Sequence, residues 1–434
     1  MKTSLTLASI RAQWATLTPA ERVQVWRHVR SLGRVWYPLP GPQTRAAESE
    51  ADVLVYGGAA GGGKSHLVLG LAATEHKRVL ILRRERAQCE GMIQEMRTLL
   101  GTDEGLNRQL GQWQLPSGSQ ALVEFGGLAD PGDEARWFGR PHVLLALDEI
   151  TEIREEQARL VMGWVRSADA GQRCRVVATC NPPTDVEGRW VYRYLAPWLD
   201  PQHPHPAADG ELRWFTARGD NPDYEVPDGR PFVWSDQGRG RDDGAVPVYD
   251  FDPSRWKPEQ IIRPRSRTFI AARVSDNPFY VESGYLSVLQ AMPGSHRGRL
   301  LDGDWQAGVE DPRDQVIPTA WVEMAMARWS PFRGVNKPPP MDCLGVDVAR
   351  GGKDSTVYAR RHGDWFDELV RVKGTDSPDG NVVLADCIRL VRDGAPIAID
   401  VIGVGSSPYD LLMNARQHVY GVNVGKASGA VPKS

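Results

Sequence analysis

Nine residues near the start of the chain, GGAAGGGKS at 57–65, constrain its fold more than any other stretch of the 434. The apolar run Asp52 to Tyr56 (DVLVY) precedes them and Lys64 to Thr74 (KSHLVLGLAAT) follows, so the pattern predicts a strand, a glycine turn and a helix. Gly58, Gly63, Lys64 and Ser65 fit the spacing G-x-x-x-x-G-K-[ST] of a phosphate-binding loop. The glycines Gly57, Gly58, Gly61, Gly62 and Gly63 let successive N–H groups turn toward one anion, and the helix N-terminus adds its dipole. Lys64 is then placed to neutralise the β- and γ-phosphates of a nucleotide, and the Ser65 hydroxyl to hold magnesium.

The stretch HVLLALDEITEI supplies the complement: an apolar strand over 143–147 that ends in Asp148 and Glu149. At the carboxyl end of a strand, Asp148 suits magnesium binding through its water shell, and Glu149 suits orientation or deprotonation of an attacking water. The run CRVVATCNPP repeats the design and places Thr179 and Asn181 at another strand tip, where small polar groups can sense a γ-phosphate. Ahead of the loop, Gln43 sits in the proline-broken segment RVWYPLPGPQ. Its amide both donates and accepts, which suits an adenine edge as well as it suits an ordinary polar loop.

Around these motifs strands and helices alternate. RVLILRR (78–84) reads as a strand, 85–100 as a helix, and Trp113 to Phe125 as a strand pair, the pattern of a parallel α/β domain. A small helical preface occupies residues 1–40, with Thr18 as cap, Pro19 in the first turn and Glu21 closing a capping box. The first α/β domain spans 41–310. Within it, a Pro-, Gly- and Asp-rich insertion at about 200–265 mixes Trp214, Phe215, Phe232 and Trp234 with arginines, composition that suits either a nucleic-acid channel or a solvated loop. RTFIAARVSDNPFY (267–280) is expected to return as a strand, ESGYLSVLQAMP as a helix, and RGRLLDGDWQAG as a closing turn.

A proline-rich linker over 311–340 leads to a second α/β unit at 341–434. Asp347 stands between Val346 and Val348 inside its first strand, where a structural carboxylate is costly, so a metal is the expected partner. Asp400 ends a later apolar strand before a glycine turn. Two aspartates on neighbouring strands point to a divalent-metal site for phosphodiester hydrolysis, against the alternative that they only cap turns. The net charge of −3 gives no overall basic field, so contact with DNA requires local patches. The five cysteines are scattered without a C-x-x-C pair, as in a reducing cytoplasm, and the charged N-terminal pattern is neither a signal peptide nor a membrane span.

Taken in order, PGPQ, GGAAGGGKS, LLALDE, ATCNPP, DNPFY with RLLDGDW, and GVDVARGGKDST with IAIDVIGVGSS resemble the large terminase subunit of tailed bacteriophages across nearly the whole chain. That resemblance implies a RecA-like P-loop ATPase domain followed by a ribonuclease H-like nuclease domain. It implies an enzyme that uses ATP with Mg2+ to move double-stranded DNA into a procapsid, and Mg2+ or Mn2+ to cut concatemeric DNA. Its implied partners are a portal protein ring, a small terminase subunit and further copies of the chain, in the host cytoplasm at the procapsid and not in the mature virion. Gln43 becomes the adenine contact, Lys64 and Ser65 the phosphate and magnesium contacts, Asp148 the metal residue and Glu149 the catalytic carboxylate. Thr179 and Asn181 fall in the family's coupling motif, and Asp347 and Asp400 match its first two nuclease metal ligands.

The family's third nuclease acid has no counterpart after Asp400 except Asp410, which is expected to point away, while Asp354 lends at most an outer-sphere oxygen. The second domain is therefore expected to be incomplete at its C-terminus. The family's arginine finger falls among Arg83, Arg84, Arg136 and Arg140, with Arg140, just before the LLALDE strand, preferred. The competing readings are a nuclease-inactive packaging ATPase and a RecA-like helicase or recombination ATPase.

Overall fold

The computed structural model describes residues 7–31, 33–219, 221–237, 240, 244–305, 317, 321–322, 324–326, 339–349, 354–423 and 425. The chain divides into two compact units, Met1–Pro312 and Arg313–Ser434. Most of the expected linker at 311–340, with Arg239 and Arg241 of the insertion, lies outside the described residues.

The strands of the first unit are β1 (Val53–Gly58), β2 (Arg78–Arg83), β3 (Leu106–Asn107), β4 (Gln112–Gln114), β5 (Leu122–Gly127), β6 (Leu144–Leu147), β7 (Arg175–Cys180), β8 (Arg213–Arg218), β9 (Asn221–Val226), β10 (Val233–Trp234), β11 (Pro247–Val248) and β12 (Arg265–Ala272). One 10-stranded sheet runs β3-β4-β5-β2-β6-β7-β1-β12-β8-β9, and β10 pairs with β11 apart from it. From β5 to β12 the neighbours are parallel, and the margins are antiparallel. β1 and β7 lie inside the parallel run with both faces covered, so every position of both is buried, Arg175 and Thr179 of β7 included. Alternate residues feed two cores: Leu54, Tyr56 and Ile81 on one face, Val55, Leu82 and Leu145 on the other.

Register places the chemistry on one edge. Tyr56 of β1 lies opposite Thr179 of β7, and Ala178 lies opposite Leu147 of β6, so the glycine loop, Thr179 and Asp148 emerge together at the carboxyl ends. The helix Lys64–Thr74 leaves from that edge and is almost wholly buried. Its Gly70 admits the ring of Trp36, since a Cβ there would sit 2.0 Å from the indole.

The preface forms the helices Leu7–Gln13 and Pro19–Arg30, and Thr18 and Glu21 make the expected capping box. Trp14, Trp26 and Val29 bury against Leu39, and Phe279 packs on the same cluster, so the preface is continuous with the domain's packing.

Several expectations about local structure are corrected. The returning strand stops at Ala272; beyond a short turn, Asn277 caps the helix Pro278–Glu282, whose first position is a proline, a residue suited to a helix start because its missing N–H has no helical partner there. Part of the expected closing turn is helical, with Gly294–Arg297 in α and Gly298–Asp302 in π geometry. The insertion does carry hairpins, β8–β9 and β10–β11, yet its aromatic residues are neither a base-stacking channel nor a solvated loop. Phe232 and Trp234 are buried with Val226 and Ala245 in a small core, and Phe215 is buried beneath the Arg267 guanidinium. Asp223 of that hairpin accepts from Arg159 and Arg267 and ties the insertion to the sheet.

The second unit holds β13 (Cys343–Asp347), β14 (Ser355–His362), β15 (Trp365–Phe366), β16 (Val370–Lys373), β17 (Ile397–Asp400) and β18 (Val419–Val422). Its sheet runs β15-β14-β13-β17-β18 with β16 on β14; β13, β17 and β18 are parallel and the remainder antiparallel. The helices Gly380–Leu390 and Ser406–Asn414 cover a core of Leu344, Tyr358, Val383, Ile399 and Leu412.

Candidate functional site

A cavity of about 650 Å³ opens above the carboxyl edge of the first sheet, lined by the glycine loop with Lys64, Ser65, Glu149 and Asn181, and by the preface through Trp26 and Arg30. The loop owes its shape to positive φ at Gly58 (+117°), Gly61 (+76°) and Gly63 (+77°), a region that glycine enters without steric cost. At Gly62 the requirement is space, because a Cβ would stand 2.6 Å from that of Ala272. Two side chains brace the curve: the Tyr56 hydroxyl donates to the Gly62 carbonyl at 2.9 Å, and Asn277 Nδ2 donates to the Gly61 carbonyl at 3.0 Å. Asn277 had no role in the sequence reading, although its DNPFY motif marks a capped helix start.

Lys64 is buried, and Nζ donates to the Ala59 carbonyl at 2.7 Å and to Asn181 Oδ1 at 2.8 Å. Burial pushes its pKa down, and Glu149 opposes that shift. The same Asn181 donates its backbone N–H to Glu149 Oε2 at 3.3 Å, so one amide residue touches both the cation and the carboxylate. Glu149 adopts φ +56°, an uncommon left-handed conformation for a residue with a Cβ. Its backbone N–H reaches Thr179 Oγ1 at 3.3 Å. Burial first, and then the neighbouring Asp148, raise the Glu149 pKa.

Asp148 is fully buried. Thr179 Oγ1 donates to its Oδ1, and Arg83 donates to its Oδ2 through Nε at 2.7 Å and through Nη2. Ser65 Oγ lies 3.4 Å from Oδ1, too long for a good hydroxyl–carboxylate bond. A serine hydroxyl facing a carboxylate is the hard-oxygen pairing that magnesium takes. With both carboxylate oxygens already engaged, Asp148 suits contact through the ion's water shell.

Gln43 is buried beside the loop, where Oε1 accepts from Leu39 N–H at 2.7 Å and Nε2 donates to the Gly63 carbonyl at 2.9 Å. One N–H and one lone pair of the amide remain for a ligand. The arginine candidates separate. Arg83 is committed to Asp148, and Arg84 to Glu187 at 2.6 Å. Arg140 pairs with Glu124 at 3.2 Å and lies with Arg136 at a different cavity, beyond β5.

In the second unit, Val346 of β13 lies opposite Ile399 of β17, so Asp347 and Asp400 end adjacent parallel strands side by side. Asp347 is exposed, which removes the burial cost used to argue for a metal there: at the last position of its strand it faces water, while Val346 faces the core. Asp400 is half-buried and accepts from Ile402 N–H at 2.9 Å. Asp354 and Asp410 are exposed. Among the described residues, no group of three His, Cys, Asp or Glu side chains is gathered for a metal, and no helix is long and apolar enough to cross a membrane.

No protein-family model matches this chain, and no curated protein matches it. Solved structures do. The large terminase of a thermophilic bacteriophage is similar at 11% identity and a TM-score of 0.38, over 89% of this chain and 82% of that one. The HK97 bacteriophage large terminase is similar at 11% identity and a TM-score of 0.31, over 87% and 78%. The ATPase domain of the Thermus phage P74-26 large terminase is similar at 13% identity and a TM-score of 0.31, over 61% of this chain and 93% of that domain.

Proposed function

We propose that the chain is the large subunit of a tailed-phage terminase: a RecA-like ATPase that drives double-stranded DNA into a procapsid, joined to a ribonuclease H-like nuclease unit. The observation that carries the motor half is the convergence of Lys64, Ser65, Asp148, Glu149 and Asn181 on one glycine loop. In this reading the loop N–H groups and Lys64 hold the β- and γ-phosphates, and Gln43 uses its free N–H and lone pair on adenine. Ser65 and Asp148 hold magnesium, which supplies charge neutralisation on the phosphates. Glu149 takes the proton of the attacking water. Asn181, touching both Lys64 and Glu149, shifts when the γ-phosphate arrives and couples its presence to the base. Arg140 or Arg136, which do not line the nucleotide cavity of their own chain, serve a neighbouring copy of the chain in a ring on the portal. The small terminase subunit is a further partner, and the setting is the host cytoplasm.

For the second unit we propose divalent-metal phosphodiester chemistry at Asp347 and Asp400. A pair of bound ions carries about four positive charges, and two carboxylates balance them poorly. The lack of a third acid near them among the described residues favours a packaging ATPase with weak nuclease activity. The test is plasmid cleavage in manganese beside ATP turnover on the same preparation. Turnover with little or no cleavage is the expected outcome. Robust cleavage abolished by Asp347→Ala would show that another residue completes the metal site.

A further inference from the structure

His66 follows Ser65 on the first turn of the helix Lys64–Thr74 and lines the nucleotide cavity with Arg30. Trp36, seated on Gly70, points its indole Nε1–H at His66 Nδ1 at 3.0 Å. On the other side of the ring, Arg30 Nη2 lies 3.0 Å from His66 Nε2. An indole N–H and a guanidinium can only donate. Nδ1 must therefore carry the lone pair that Trp36 requires, and the proton of the neutral ring sits on Nε2, facing another N–H. The Trp36 bond requires this neutral ring, since a protonated one would offer no acceptor. Protonation would not relieve the conflict, because both ring nitrogens would then be donors.

Two donors that meet on a cavity wall are satisfied together by one acceptor, and the guanidinium charge favours an anionic oxygen. Lys64 stands at the loop, where the terminal phosphates belong. His66 lies two residues further along the helix and touches Arg30 of the preface, in the cavity that Gln43 also lines. We infer that Arg30 and His66 form a seat for the α-phosphate of the bound nucleotide, with Trp36 setting the tautomer that lets His66 donate. This rests on the nucleotide-site reading above, and it makes the helical preface part of the binding site.

Equilibrium binding of ATP, AMP and 2′,3′-dideoxy-ATP to the full chain tests the seat. Arg30→Gln should weaken all three by the same factor, about tenfold, the scale of one charge-assisted hydrogen bond. Arg30→Lys should recover part of the loss. Trp36→Phe frees the ring to present a lone pair to Arg30 and should weaken all three nucleotides about threefold. Arg30 is exposed, so its substitution leaves the fold intact even if the Trp36 variant does not fold. Unchanged affinity in Arg30→Gln would overturn the inference. So would a loss absent from AMP, which places the contact on the β- or γ-phosphate, or a loss that vanishes with the dideoxy nucleotide, which places it on the sugar. Failure of the unsubstituted chain to bind any of them would instead refute the nucleotide site itself.

Discussion

Replacing Glu149 by Gln should lower ATP turnover by about a hundredfold or more while leaving ATP affinity within about threefold of the parent chain. The substitution keeps the shape of the side chain and its ability to accept from the Asn181 N–H, so the loop and Lys64 stay in place. What it removes is the carboxylate proposed to take a proton from the attacking water. Steady-state turnover together with equilibrium ATP binding checks it, and near-normal turnover would move the base elsewhere. Burial and the adjacent Asp148 raise the Glu149 pKa. The base is lost as pH falls through that raised value, so the acid limb of the rate profile should lie above the ordinary glutamate range of about 4.3. The Gln variant should lack that limb.

Lys64→Ala should behave differently, losing about a hundredfold in nucleotide affinity as well as turnover. Lys64 is a buried cation whose charge is disfavoured by desolvation and supported by Glu149. A nucleotide supplies anionic partners where Ala59 and Asn181 offer only neutral oxygens, so much of the binding free energy passes through this one ammonium group. Its removal also leaves Asn181 Oδ1 without its 2.8 Å donor and frees the residue that positions Glu149. Direct ATP binding distinguishes the variants: affinity kept in Glu149→Gln and lost in Lys64→Ala. Equal affinity in both would separate Lys64 from the phosphates.

The parts of this protein that were legible in sequence are those fixed by local rules. The strand, glycine turn and helix around Lys64 follow from apolar runs and positive-φ glycines, and Asp148 and Glu149 from an apolar run that ends in acids. Thr18 and Pro19 announced their helix correctly. The failures depended on tertiary neighbours. Trp234 and Phe232 looked available for stacking, but whether an aromatic residue is exposed depends on what folds over it, here Val226 and Ala245. Asp347 reads as buried between two valines, yet alternation at a strand end turns it outward. Arg83 was one of several arginines until the parallel pairing of β2 with β6 brought it to Asp148. The contacts among Arg30, Trp36 and His66 join segments 30 or more residues apart, and no local pattern records them.

A site that powers a DNA motor answers to DNA, so ATP turnover by the intact chain with and without double-stranded DNA is the decisive measurement. Turnover that is slow alone, rises severalfold on addition of DNA and disappears in Glu149→Gln at every DNA concentration is the predicted result. Turnover indifferent to DNA, or persisting at the same rate in Glu149→Gln, would rule out a DNA-coupled engine with Glu149 as its base.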